Sequence, residues 1–150
     1  MTRNILGLGI GKLGSAVALL MALSAAPAFA EEAPEVDCEN AMAQQDMNYC
    51  AEMDFEKSDA ELNRTYKKAM KAARDADKSA AEMGPDYVGA VDALKKAQRA
   101  WIDYRDGHCT GVGFEARGGS MEPMLVSGCK DQLTQARTKE LQELISGTGN

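Results

Sequence analysis

Chemistry in this chain could come from four cysteines, one histidine and a few polar residues set on otherwise apolar helical faces. The thiols are Cys38, Cys50, Cys109 and Cys129. Cysteines pair, bind metals or act as nucleophiles, and their surroundings decide which. The pattern disfavours zinc, because no C-x-x-C occurs and His108 is the single histidine. A Cys–His nucleophile pair is also disfavoured. His108 and Cys109 are adjacent, and neighbours on a helix point about 100° apart. His108 reads instead as a helix-end residue near the negative pole of the helix. The methionines after residue 30 are too dispersed for a thioether copper site and read as packing. No phosphate loop, G-x-S-x-G or dinucleotide fingerprint occurs. The reading assigns no catalytic residue, no metal and no cofactor.

Disulfides are the remaining chemistry, and the N-terminus favours them. Arg3 and Lys12 precede an apolar run from Leu13 to Ser24, and Ala28-Phe29-Ala30 has the small-x-small form of a cleavage site. This predicts an export signal over 1–30, removed near Ala30, and a periplasmic or secreted protein. Thiols pair in such a compartment. No later apolar run approaches the ~20 residues of a membrane span, so none is expected in the mature chain. Four cysteines allow three pairings. The favoured one joins Cys38 to Cys50 and Cys109 to Cys129, closing short loops worth roughly 3 kcal/mol each. A continuous helix would hold Cys38 and Cys50 about 18 Å apart, so this pairing requires non-helical chain near Cys38. The alternatives would tie the N-terminal arm to the C-terminal half.

Removing residues 1–30 changes the formal charge from −6 to −8 and leaves one domain. Net acidity argues against a nucleic-acid ligand and suits a basic protein partner.

Periodicity supplies the scaffold. Residues 31–37 read as a flexible acidic lead. A first helix is expected over about 45–83, with Met53, Phe55, Leu62, Tyr66, Ala69, Met70, Ala73 and Ala76 as its apolar face. Gly84-Pro85-Asp86 ends it, and Asp86 is placed to cap a second helix over about 87–107, stopped or frayed at Asp106-Gly107. Val88, Val91, Leu94, Trp101 and Ile102 form that helix's stripe. Four glycines within 110–123 predict a loop there. A third helix over about 122–146 would bury Leu125, Cys129, Leu133, Ala136, Leu141, Leu144 and Ile145, with 147–150 as a tail. The fold class expected is all-α, a small disulfide-stabilised bundle of about three main helices spanning 38–146.

Some polar residues sit where those faces want apolar ones. Asp59 and Asn63 share a face of the first helix, Gln98 and Arg105 lie on the Trp101 face of the second, and Arg137 lies near the seam of the third. Groups in such places must satisfy one another or cost a few kcal/mol each. The expectation is a mutual network, with Asp59 paired to Arg105 or Arg137 and Asn63 or Gln98 completing the hydrogen bonds.

The block Ser58-Asp59-Ala60-Glu61-Leu62-Asn63-Arg64-Thr65-Tyr66 after Cys50 is distinctive. So is Ala97-Gln98-Arg99-Ala100-Trp101-Ile102-Asp103-Tyr104-Arg105-Asp106 before Cys109. With Gly118-Gly119-Ser120-Met121, Cys129 and the run from Leu133 to Leu141, they resemble the domain family typified by the lysozyme inhibitor LprI. The resemblance spans about Cys38 to Leu144. It implies an exported, cysteine-paired helical domain, and inhibition of a lysozyme as the activity. Lysozymes place two carboxylates in a deep cleft. Arg117, with Gly118, Gly119 and Ser120, is the expected point of contact, a cation on a glycine-rich loop that could enter such a cleft. The expected partner is a lysozyme or another basic protein. The rival reading is a non-catalytic interaction module of the cell envelope with no lysozyme activity.

Overall fold

The computed structural model describes residues 36–147. The expected export signal, residues 31–35 of the acidic lead and residues 148–150 of the tail lie outside the described residues. Helix α1 spans Gln44–Ala80, α2 spans Ala90–Gly113 and α3 spans Glu122–Ser146. Short 3-10 turns occupy Pro85–Tyr87 and Phe114–Ala116. Among the described residues no helix is long and apolar enough to cross a membrane.

The helices run up, down, up. Asn48 of α1 donates to the carbonyl of Ser120, and Ser127 of α3 donates to Glu52. Arg105 bridges Asp59 to Thr134 farther along, so α1 and α3 are parallel. Helix α2 returns between their ends, with Gln98 against Arg137 and Cys109 against Cys129. The most extensive contact is α1 with α3.

Both disulfides have the favoured pairing, Cys38–Cys50 and Cys109–Cys129, with Cα separations of 5.6 and 5.5 Å. The chain before α1 is non-helical, as the first pairing requires. The Asp37 carboxylate accepts hydrogen bonds from the Glu39 amide and the Asn40 side chain, turning the chain so that Cys38 reaches back to Cys50.

The apolar core is small. Leu62, Ala69, Leu94 and Leu141 are buried, with Tyr66, Met70, Ala73 and Trp101 packed against them. Polar residues fill much of the rest: Thr65, Gln98, Arg105, Ser127, Thr134 and Thr138 are buried too. This corrects the expected face of α3. Of that face Leu141 is buried, Leu125 and Leu133 are half-buried, and Ala136, Leu144 and Ile145 are exposed. The buried positions are Ser127, Thr134, Thr138 and Leu141, a spacing of seven with one addition. Small hydroxyl side chains let α3 lie close to α1, and each finds a partner. Thr138 donates to the carbonyl of Thr134, and Thr134 accepts from Arg105. Met53, Val88 and Ile102, placed on apolar stripes by periodicity, are likewise exposed.

Helix α2 starts and ends later than expected. Asp86 does not cap it. The carboxylate of Asp77, near the end of α1, accepts from the amides of Gly89, Ala90 and Val91 at 2.8, 2.7 and 3.0 Å. A cap borrowed from another helix leaves no local sequence signal. At the other end α2 continues through Asp106-Gly107 to Gly113, so His108 is not at a helix end but stacks on Tyr104 at 5.4 Å. Helical glycine costs about 1 kcal/mol relative to alanine. Packing on α3 and the Cys109–Cys129 bond offset this, and Gly113 serves the packing directly. A Cβ there would lie 2.5 Å from Cγ2 of Val126.

Two measurements test this scaffold. Gly113→Ala should destabilise the fold by about 1–3 kcal/mol through overpacking, and Val126→Ala should restore much of the loss; denaturant titration of the single and double variants reads both. The Asp77 cap should make stability depend on pH. Its three backbone donors, led by the Gly89 amide, hold the Asp77 carboxyl below the ordinary carboxylate range. Its contribution is therefore present above the unfolded value of about 3.9 and lost as pH falls through the lower folded value. The melting-temperature gap between wild type and Asp77→Ala should be widest near neutrality and close in strong acid.

Candidate functional site

The stretch 110–123 is mostly helical, which corrects the expectation of a loop. Thr110–Gly113 belongs to α2, Phe114–Ala116 is a 3-10 turn, and Glu122 opens α3. What remains is a five-residue turn, 117–121, at the disulfide-bonded end of the bundle. It begins with Arg117 at φ −54° and ψ 122° and reverses at Gly118, whose φ of 75° favours glycine. Gly119 donates to the carbonyl of Ala116, and Glu122 donates to that of Gly119.

Glu122 organises the turn. One carboxylate oxygen accepts from Nη1 of Arg117 at 2.6 Å and the other from the Gly118 amide at 2.8 Å. The Gly118 amide first, then Arg117, lowers the Glu122 carboxyl below its ordinary value. The Arg117 guanidinium also lies 4.6 Å from the centre of the Phe114 ring. Arg117 is thus positioned rather than free, yet its side chain is 60% exposed. Among the described residues only Nη1 is engaged in hydrogen bonding, which leaves the Nε–Nη2 edge without a partner there. That edge is the geometry with which arginine takes a carboxylate through two parallel hydrogen bonds. Gly118, Gly119 and Ser120 are exposed beside it, and the Asn48 side chain ties the Ser120 carbonyl to α1 at 2.9 Å.

The five network residues form two clusters. In the first, Nη1 of Arg105 donates to Asp59 at 2.9 Å and to Thr134 at 3.4 Å, and Nε donates to Asp106 at 2.9 Å. Asn63 donates to the other oxygen of Asp59 at 2.8 Å. The guanidinium carbon stands 5.1 Å from the ring centres of both Phe55 and Trp101. In the second cluster Arg137 donates to Gln98 at 3.2 Å and to Glu140 at 2.7 Å. Sequence reasoning missed Asp106, Thr134 and Glu140, and placed Phe55 on the apolar face of α1 without its contact to Arg105. Only Glu140 carried a usable signal, its three-residue spacing from Arg137.

Charge is segregated along α1. The half from Gln44 to Asn63 holds six acids and the single base Lys57; the stretch from Arg64 to Lys78 holds six bases and two acids. The acidic half, with Glu52, Asp54 and Glu56 exposed, lies toward the turn. Arg117 therefore projects from an end whose neighbouring helix surface is negative. Among the described residues no three His, Cys, Asp or Glu side chains are grouped to hold a metal.

A family model described as lysozyme inhibitor LprI matches residues 37–141. An uncharacterized protein of Rhizobium meliloti (strain 1021) is 53% identical over 135 residues, covering 90% of this chain and 96% of that protein. No solved structure matches significantly.

The Arg105 cluster can be tested apart from function. Asp59→Ala leaves a buried guanidinium short of one partner and should cost about 1–3 kcal/mol. In a double-mutant cycle with Arg105→Met, the two losses should be clearly less than additive. Additivity would mean that the pair contributes nothing.

Proposed function

The chain belongs to the lysozyme inhibitor LprI family, and on that premise we propose that it is an exported, non-catalytic inhibitor. It presents the 117–121 turn to the cleft of a lysozyme. The family match carries the activity. The observation that carries the site is the open Nε–Nη2 edge of Arg117, exposed beside Gly118, Gly119 and Ser120. A glycan-cleaving site built on two carboxylates offers the planar anion this edge fits.

Three features favour inhibition by docking. Glu122 and Phe114 hold the guanidinium in place, so little side-chain freedom is lost on binding. The disulfides and the Asn48 bond fix the end of the bundle from which the turn projects. The acidic half of α1 speeds encounter with a basic enzyme. Binding that fills the cleft blocks hydrolysis without any covalent step.

Titrating the disulfide-bonded protein against several lysozyme types should give saturable inhibition. Arg117→Glu should weaken it at least about tenfold, a loss of about 1.4 kcal/mol, whereas Arg64→Glu, on the far half of α1, should change it little. Added salt should slow association. If every lysozyme stays fully active at excess inhibitor, the envelope interaction module takes the place of this reading. If inhibition occurs but the two variants behave alike, the activity stands and the turn is not its site.

A further inference from the structure

The end of the bundle opposite the turn carries a second surface. Along 64–78 of α1 and 95–99 of α2, nine lysines and arginines are exposed. Arg64, Lys71 and Lys95 pair with Glu61, Asp75 and Asp92. Lys67, Lys68, Arg74, Lys78, Lys96 and Arg99 have no carboxylate within salt-bridge distance among the described residues. In a net acidic chain, this is a concentrated basic belt.

The same end is apolar in an unusual way. Below Leu94 the helices enclose an open groove of about 470 Å³, lined mainly by alanines of α1 and α2, with Leu144 and Arg137 from α3. The alanines leave the space between the helices unfilled. At the rim the hairpin between α1 and α2 exposes Tyr87 at 65% and Val88 at 45%, and α3 ends with Leu144 at 55% and Ile145 at 38%. The cations alternate along the helices with the groove residues: Lys68 precedes Ala69, Arg74 follows Ala73, and Lys96 precedes Ala97.

We propose that this end docks peripherally on an anionic lipid bilayer. Exposed cations beside exposed apolar side chains form the combination that holds proteins at a charged membrane boundary. The belt would meet the headgroup phosphates, while Tyr87, Val88, Leu144 and Ile145 enter the boundary and the groove accepts apolar chain. A soluble polyanion would satisfy the belt but leaves the apolar rim without a partner, which favours the bilayer. The proposal does not rest on the lysozyme reading, because it uses the opposite end of α1. Asn48 marks the turn's level on α1, and at 1.5 Å per residue roughly 24–45 Å of helix lies between it and residues 64–78, so both ends could be occupied together.

The test is sedimentation of the disulfide-bonded protein with phosphatidylcholine vesicles, with and without phosphatidylglycerol. Residues 13–24, where retained, would bind either bilayer, so the informative quantity is the difference between the two. Binding should be selective for the anionic vesicles and should fall as salt shortens the screening length from about 10 Å at 0.1 M to about 3 Å at 1 M. Lys67→Glu with Arg74→Glu and Lys96→Glu should lower it roughly tenfold or more. Val88→Ser with Ile145→Ser should lower it at fixed charge, and Lys57→Glu in the acidic half should leave it unchanged. Circular dichroism and thiol titration establish that each variant is folded and oxidised. Equal binding to both vesicle types, full retention by the triple variant, or no effect of the serine variant would each overturn the proposal. So would binding to soluble polyphosphate without binding to anionic vesicles.

Discussion

The guanidinium of Arg105 touches all three helices at once. It meets Phe55 and Asp59 on α1, Trp101 and Asp106 on its own helix, and Thr134 on α3. A charge with its side chain only 9% exposed requires nearly complete satisfaction, because an unpaired donor costs far more when buried than in water. That requirement specifies where each helix stands along its neighbours. Sliding α3 by one turn would remove Thr134, and rotating α1 would remove both Asp59 and the Phe55 ring. With four buried apolar residues in the core cluster among the described residues, hydrophobic area alone would hold such alignment loosely. The polar cross-point supplies the alignment that the small core does not.

How much of this was legible in the chain depended on whether the determining contact was local. The three helices and the all-α class follow from periodicity and from glycine and proline punctuation, and the disulfide pairing is the one of three that short spacing favours. The start of α2 did not, because its cap is Asp77, twelve residues upstream of Gly89 on another helix. The inward face of α3 did not, because Ser127, Thr134 and Thr138 look like surface residues until a close neighbour makes small side chains an advantage. The 110–123 region misled for a related reason. Its glycines were read as freedom, whereas Gly113 is used for close approach to Val126 within a helix. At the candidate site the four residues from Arg117 to Ser120 could be named in advance, but Glu122, Phe114 and Asn48, which hold them, could not. Asn48 reaches the turn from another element, Glu122 meets Arg117 at a spacing of five, and Phe114 meets it at a spacing of three across a 3-10 turn in what reads as a loop.

The two charge regions of α1 give the domain a direction. The acidic half flanks the turn, and the basic half surrounds the alanine-lined groove. A single continuous 37-residue helix carries both, so the separation between them is set by its length rather than by a linker. This arrangement is compatible with a protein that acts between two partners of opposite charge.

Both disulfides lie toward one end of the bundle, and that placement grades local stability along the helix axis. Near the 117–121 turn, opening requires separating segments that remain covalently joined. Near the 85–88 hairpin, the groove walls are alanines, little apolar area is lost when they part, and the Asp77 cap rather than a disulfide opposes their opening. The molecule is thus built to breathe from the hairpin upward. Amide protons there should exchange through smaller openings than those beside Cys109 and Cys129, which should need unfolding of the whole domain.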